Sequence, residues 1–119
     1  MTAPPIFLGP VEVTFFVPDV SAAASWYQEI FGAPHFKSEH FYTFKGPGID
    51  VGIHTEDAKA EGPGGRQVLY WRVSNLTQAI SAMTAMGCHL YRAPIHGIDG
   101  PAVCQLEDPF GNVWGLRQE

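Results

Sequence analysis

A chain of 119 residues has the length of one domain, and 45% apolar against 16% charged residues is the balance of a folded core, not of a disordered tail. The net charge is −5, and the seven Lys and Arg are scattered, so no basic stripe exists to offset nucleic-acid phosphates. The start, MTAPPIFLGP, lacks a basic region and its apolar run is cut by prolines. Neither a signal peptide nor a membrane span is expected, and the expected location is the cytoplasm.

The segment VEVTFFV at 11–17 is β-branched and aromatic and reads as a strand. Asp19 is placed to cap a helix over about 20–31, whose stripe is Ala23, Trp26, Tyr27, Ile30 and Phe31. Gly32 supplies the stop. Short strands are expected near 33–36, 41–44 and 50–54, with the turn GPG at 46–48 before the last. Residues 57–66 are charged and Gly-rich and read as a linker. The order then restarts. A strand covers 68–73, Asn75 caps a helix to about Met86, with Gln78 at capping-box spacing, and Gly87 ends it. Strands follow near 89–92, 103–106 and 113–117, the last two joined by DPFGN at 108–112. Cys88 and Cys104 are too few for a disulfide framework or zinc cluster, and two buried, reduced thiols are expected.

The restart is an internal repeat. VEVTFFVPDV at 11–20 matches QVLYWRVSNL at 67–76, and DVGIHTE at 50–56 matches VWGLRQE at 113–119, with Gly52 opposite Gly115. The fold class that follows is α+β: two βαβββ modules forming a cup-shaped mixed sheet with helices outside. Module 1 covers about 9–56 and module 2 about 67–118 of a single domain, 1–119. Side chains alternate across a strand, so each strand has two faces. One face carries Val13, Phe15, Val17, Val51, Ile53, Leu69, Trp71, Val73, Trp114 and Leu116 and is expected to pack under the helices. The other mixes charge, rings and glycine: Glu12, Thr14 and Phe16; Asp50, Gly52 and His54; Val68, Tyr70 and Arg72; Val113, Gly115 and Arg117. It reads as a solvated sheet face or as a ligand pocket. Glycine inside a strand favours the pocket, because it often marks a close approach.

The segments VEVTFFVPDVSAAASWYQEIFG at 11–32, VLYWRVSNLTQAISAMTAMG at 68–87 and LEDPFGNVWGL at 106–116 resemble, in this order, the vicinal oxygen chelate superfamily. That group holds glyoxalase I, extradiol dioxygenases, fosfomycin-resistance enzymes and bleomycin-resistance proteins. The resemblance implies paired modules around a cup, often completed in a homodimer, with the modules paired within one chain or exchanged between two. Metal-dependent members carry ligands at four strand positions, which fall here on Glu12, Val68, Gly52 and Gly115. Only Glu12 has a donor side chain.

The expected function is therefore a metal-independent small-molecule-binding protein, with no cofactor and a divalent metal disfavoured. The alternative is a lyase or dioxygenase of the same superfamily using Glu12 in an altered metal site. Glu12 is also the candidate catalytic base, against an ion pair with Arg72 or Arg117. The ligand-binding candidates are Phe16, Gly52, His54, Val68, Tyr70, Arg72, Gly115 and Arg117. Trp26 and Phe110 could also stack on a ligand, though core packing is expected for Trp26. The acidity of the chain suits a cationic ligand. The five histidines form no close cluster, and His54 alone alternates onto the pocket face. Neither nucleic acid nor membrane is an expected partner.

Overall fold

The computed structural model describes residues 7–57, 67–96 and 101–119. The expected linker, apart from Asp57, lies outside the described residues. The elements run β1 (Pro10–Val17), α1 (Val20–Phe31), β2 (Phe36–Lys37), β3 (Phe41–Lys45), β4 (Asp50–Thr55), β5 (Gln67–Val73), α2 (Leu76–Ala85), β6 (His89–His96), β7 (Ala102–Glu107) and β8 (Val113–Gln118). This is the expected α+β pattern, βαβββ twice.

The chain divides into two compact units. One is Val11–Val68; the other joins residues up to Pro10 to Leu69–Glu119. The backbone at Leu8 and Gly9 bonds with Arg72 of β5, at 2.8 Å in each direction, so residues 7–10 belong with the second unit.

In the first unit the strand order is β2-β3-β4-β1. β1 and β4 are parallel, while β3 is antiparallel to both β2 and β4. The Asp19 carboxylate accepts from the Ala22 N–H at 3.1 Å and opens α1. Gly32 ends the helix at φ +84°, where other residues are strained. The core consists of Val20, Ala24, Phe44, Val51 and Ile53, flanked by Val13, Phe15, Tyr27 and Phe31. Full burial of Ile53 contributes roughly 1.5–3 kcal/mol. Two stripe residues depart from expectation. Trp26 is 60% exposed and Ile30 56% exposed. The α1 face that meets the sheet is narrower than the apolar stripe, so Trp26 only edges onto Tyr27, at 5.3 Å between ring centroids.

In the second unit the order is β5-β8-β7-β6, with β5 and β8 parallel and the remaining pairs antiparallel. The Asn75 side chain accepts from Gln78 N–H at 2.9 Å, and Gln118 Oε1 accepts from Leu76 N–H at 2.7 Å. Two of the otherwise unpaired N–H groups of α2 are thereby satisfied. Val73, Leu76, Ala79, Met83, Cys104, Leu106 and Leu116 form the core. Leu69, expected in it, is exposed. Residues Trp71 and Trp114 are half-buried and stack at 6.1 Å, with Phe7 against both. Both cysteines are free and buried, and burial pushes the Cys104 thiol up to about 11. Among the described residues, no helix is long and apolar enough to cross a membrane.

Candidate functional site

Alternation places one mixed polar and aromatic face on each unit, opposite its helix. In the first unit, the register sets three rows across the sheet. Glu12 lies beside Asp50, and Asp50 beside Lys45; Thr14 beside Gly52, and Gly52 beside Thr43; Phe16 beside His54, and His54 beside Phe41. Glu12 is buried, and its carboxylate accepts from the Thr14 hydroxyl at 2.6 Å. The adjacent Asp50 pairs with Lys45 at 3.3 Å. That cation offsets the cost of setting two acidic residues directly opposite each other.

Gly52 sits in the middle of this face. A Cβ there would stand 3.0 Å from Thr14 Oγ1, 3.1 Å from Glu12 Oε2 and 3.2 Å from the Phe41 ring. The glycine thus makes room for its neighbours' side chains. His54 lies between the rings of Phe16 at 5.4 Å and Phe41 at 5.8 Å. Its Nδ1 is 2.7 Å from the Thr55 carbonyl oxygen, which only accepts, so Nδ1 carries the proton. In the neutral ring, Nε2 is then left with the lone pair.

In the second unit one row crosses all four strands: Tyr70 on β5, Gly115 on β8, Gln105 on β7 and Arg92 on β6. The Tyr70 ring lies over Gly115, where a Cβ would stand 2.5 Å from it. Lying there, the phenol reaches Gln105, whose Nε2 donates to the Tyr70 hydroxyl at 2.7 Å. Arg92 Nε donates to Gln105 Oε1 at 3.0 Å. Gln105 is 1% exposed, so this amide is a committed buried connection. The next row holds Arg72 opposite Arg117, and both guanidiniums pair with the Glu119 carboxylate, at 3.7 and 2.5 Å.

Sequence reasoning assigned Glu12, Phe16, Gly52 and His54 to one face, and the first unit brings them together. It assigned Tyr70, Arg72, Gly115 and Arg117 to that same face, and the second unit brings those four together. Val68 is 1% exposed and offers only an aliphatic side chain. Phe41, Gln105, Arg92 and Glu119 were not anticipated as part of these faces. Gln105 carried a signal: it is the single polar residue in the apolar run from Ala102 to Leu106. Asp108 and Asn112 serve their turn. The Asp108 carboxylate accepts from the N–H groups of Phe110 and Asn112 and from the Trp114 indole. The Asn112 N–H foremost, with help from Trp114 and Phe110, holds its carboxyl below the usual range, against a smaller opposing effect of desolvation. A shallow depression of about 290 Å³ lies among Leu69, Trp71, Asp108, Asn112, Val113 and Trp114. Leu69 and Trp71 alternate with Tyr70, so this depression is on the helix side of the sheet and not on the Tyr70 face. Phe110, a stacking candidate, is 87% exposed in the turn.

The sequence profile of the glyoxalase/bleomycin resistance protein/dioxygenase superfamily matches residues 9–116. The chain belongs to this superfamily. Among solved structures, the methylmalonyl-CoA epimerase of Mycobacterium tuberculosis is similar at 18% identity and TM-score 0.65, over 99% of this chain and 92% of that one. An NAD-dependent benzaldehyde dehydrogenase from Legionella pneumophila aligns at 14% identity and TM-score 0.64, over 90% of this chain and 96% of its own. Homoprotocatechuate 2,3-dioxygenase from Arthrobacter globiformis aligns at 15% identity and TM-score 0.73, over 99% of this chain but only 38% of its own length. At these identities the likeness is one of fold. No curated protein matches the chain in sequence.

Some members of the superfamily hold a divalent metal at the positions that fall on Glu12, Gly52, Val68 and Gly115. The residues present do not fit one. One carboxylate is too small a donor set. At Gly115 the Tyr70 ring fills the place a ligating side chain would take, and at Gly52 the Glu12 and Thr14 oxygens do. Among the described residues, no group of three or more His, Cys, Asp or Glu is placed to hold a metal.

Proposed function

We propose that this superfamily member is a metal-independent small-molecule-binding protein, whose ligand contacts a polar and aromatic sheet face. One observation carries the reading. Of the four superfamily ligand positions, three hold valine or glycine, and the space at both glycines is taken by Tyr70 or by Glu12 and Thr14. What the faces of the two units offer is half-buried rings that also hydrogen-bond: His54 in the first unit and the Tyr70 phenol in the second. Rings with a few fixed polar groups suit an organic molecule that is partly aromatic.

Elemental analysis and native mass spectrometry of untagged protein test this reading. The expected result is a metal content far below one per chain, with an organic molecule retained in the native spectrum or bound from a screen of aromatic compounds. Near-stoichiometric iron, zinc, nickel or manganese that is lost in Glu12→Gln would overturn it in favour of a lyase or dioxygenase with a rebuilt site. The same variant tests Glu12 as a general base. A catalytic carboxylate requires Glu12→Gln to abolish turnover with ligand affinity nearly intact, and unchanged turnover removes Glu12 from any mechanism.

A further inference from the structure

The face of the second unit carries a charge opposite to that of the whole chain. Its register puts Arg72 directly across from Arg117 on a parallel strand pair. Like charges so placed repel unless an anion lies with them. The Glu119 side chain is that anion, 3.7 Å from Arg72 Nη1 and 2.5 Å from Arg117 Nη2. Arg92 alternates onto the same face, beside Gln105. All three arginines among the described residues therefore share one face. Against them stand two carboxylates, and Glu107 is engaged with His89 at 2.8 Å. The net charge of −5 describes the chain but not this surface.

We propose that Arg72 and Arg117 form an anion-binding site for the carboxylate of a small planar ligand, and that the Glu119 side chain holds the site until the ligand displaces it. The proposal rests on the small-molecule reading above and names the chemistry of the ligand. Guanidinium forks match carboxylates in geometry and charge. The Arg72 side chain is 43% exposed, that of Glu119 30% and that of Arg117 15%, so an entering anion reaches the site from the Arg72 side. The Arg72–Glu119 pair, the longer and more exposed of the two, is held weakly and exchanges readily. Tyr70 sits one row away, about 7 Å along the strand, with its ring flat over Gly115. A ligand whose carboxylate replaces Glu119 would lay its ring toward that phenol and gain contact area that Glu119 lacks.

The test is a titration of the full chain with benzoate, phenol and benzylamine, followed by amide NMR shifts at Tyr70, Gly115 and Arg117. Benzoate is expected to bind about tenfold more tightly than phenol or benzylamine. The variant Glu119→Gln should strengthen benzoate binding by about tenfold and leave phenol unchanged, and Arg72→Gln should weaken benzoate by a similar factor. Both substitutions are at accessible side chains, and an unchanged amide spectrum elsewhere confirms the fold. Equal affinity for benzoate and phenol, or no response of benzoate to Glu119→Gln, would overturn the anion site while phenol shifts at Tyr70 sustain the small-molecule reading. Shifts with none of the three probes would overturn both.

Discussion

The two units descend from one pattern and use its strand glycine differently. In the first, Gly52 admits a buried carboxylate and its hydroxyl partner, Glu12 and Thr14. In the second, Gly115 admits a whole phenol ring, which then bridges to Gln105 and Arg92. The charges differ in the same sense. The parallel pair of the first unit sets Glu12 against Asp50, neutralised by Lys45; that of the second sets Arg72 against Arg117, neutralised by Glu119. A repeated backbone thus presents one acidic and one basic face. The lesson is that register repeats faithfully, while the chemistry at each register position is free to diverge.

The largest effect expected from breaking either unit is in its core. Phe44→Ala removes a fully buried ring that Tyr27 and Phe31 pack against and should cost about 3–5 kcal/mol, and Leu106→Ala in the second unit about 2–5. Denaturant unfolding measures both, and Trp26→Ala, an exposed residue, should cost far less than either. Next come the glycines. Gly115→Ala pushes against the near atoms of the Tyr70 ring, which cannot yield without losing Gln105, and should cost about 1–3 kcal/mol. Gly52→Ala meets mainly the ends of the Thr14 and Glu12 side chains and should cost less. Equal losses would show that the two glycines do one job.

The helix caps should behave alike in the two units. Asp19→Ala and Asn75→Ala each remove one side-chain acceptor from an N-terminal N–H and should cost roughly 0.5–2 kcal/mol. A large difference between them would mean that Gln118, which also serves the start of α2, carries the second cap. The smallest effect belongs to Asp108, which has no counterpart in the first unit's turn. Its carboxyl is held below the value it has in the unfolded chain, so it stabilises the fold above about pH 4 and that contribution fades as pH falls through the native value. An acid unfolding curve of Asp108→Asn should therefore be flatter below pH 4 than that of the parent chain.

Much of this was legible without coordinates. Asp19 and Asn75 cap their helices as read, and Gly32 and Gly87 both take positive φ where the helices stop. The strands lie where periodicity put them, with β6 running to His96 instead of Arg92, and β2 at Phe36–Lys37 instead of near 33–36. The division of β1 into Val13, Phe15, Val17 on one side and Glu12, Thr14, Phe16 on the other follows from alternation alone. Two readings went wrong for one reason. Trp26 and Leu69 have core periodicity, yet both are exposed, because an apolar stripe shows what could be buried and not how much partner surface arrives to bury it. The strand glycines were read as marks of a close approach, and at both Gly52 and Gly115 groups of the chain itself approach closely.

The sequence by itself determined the repeated βαβββ order, the faces of each strand, and the lack of donor side chains at Gly52, Val68 and Gly115, because capping, alternation and residue identity are local. Only the tertiary structure decided that Tyr70 lies across Gly115 onto Gln105, that Glu119 sits with Arg72 and Arg117, and that residues 7–10 join the second unit. Those contacts depend on which strands neighbour each other and in what register. Hydrogen bonding between residues far apart in the chain sets that, and no local pattern encodes it.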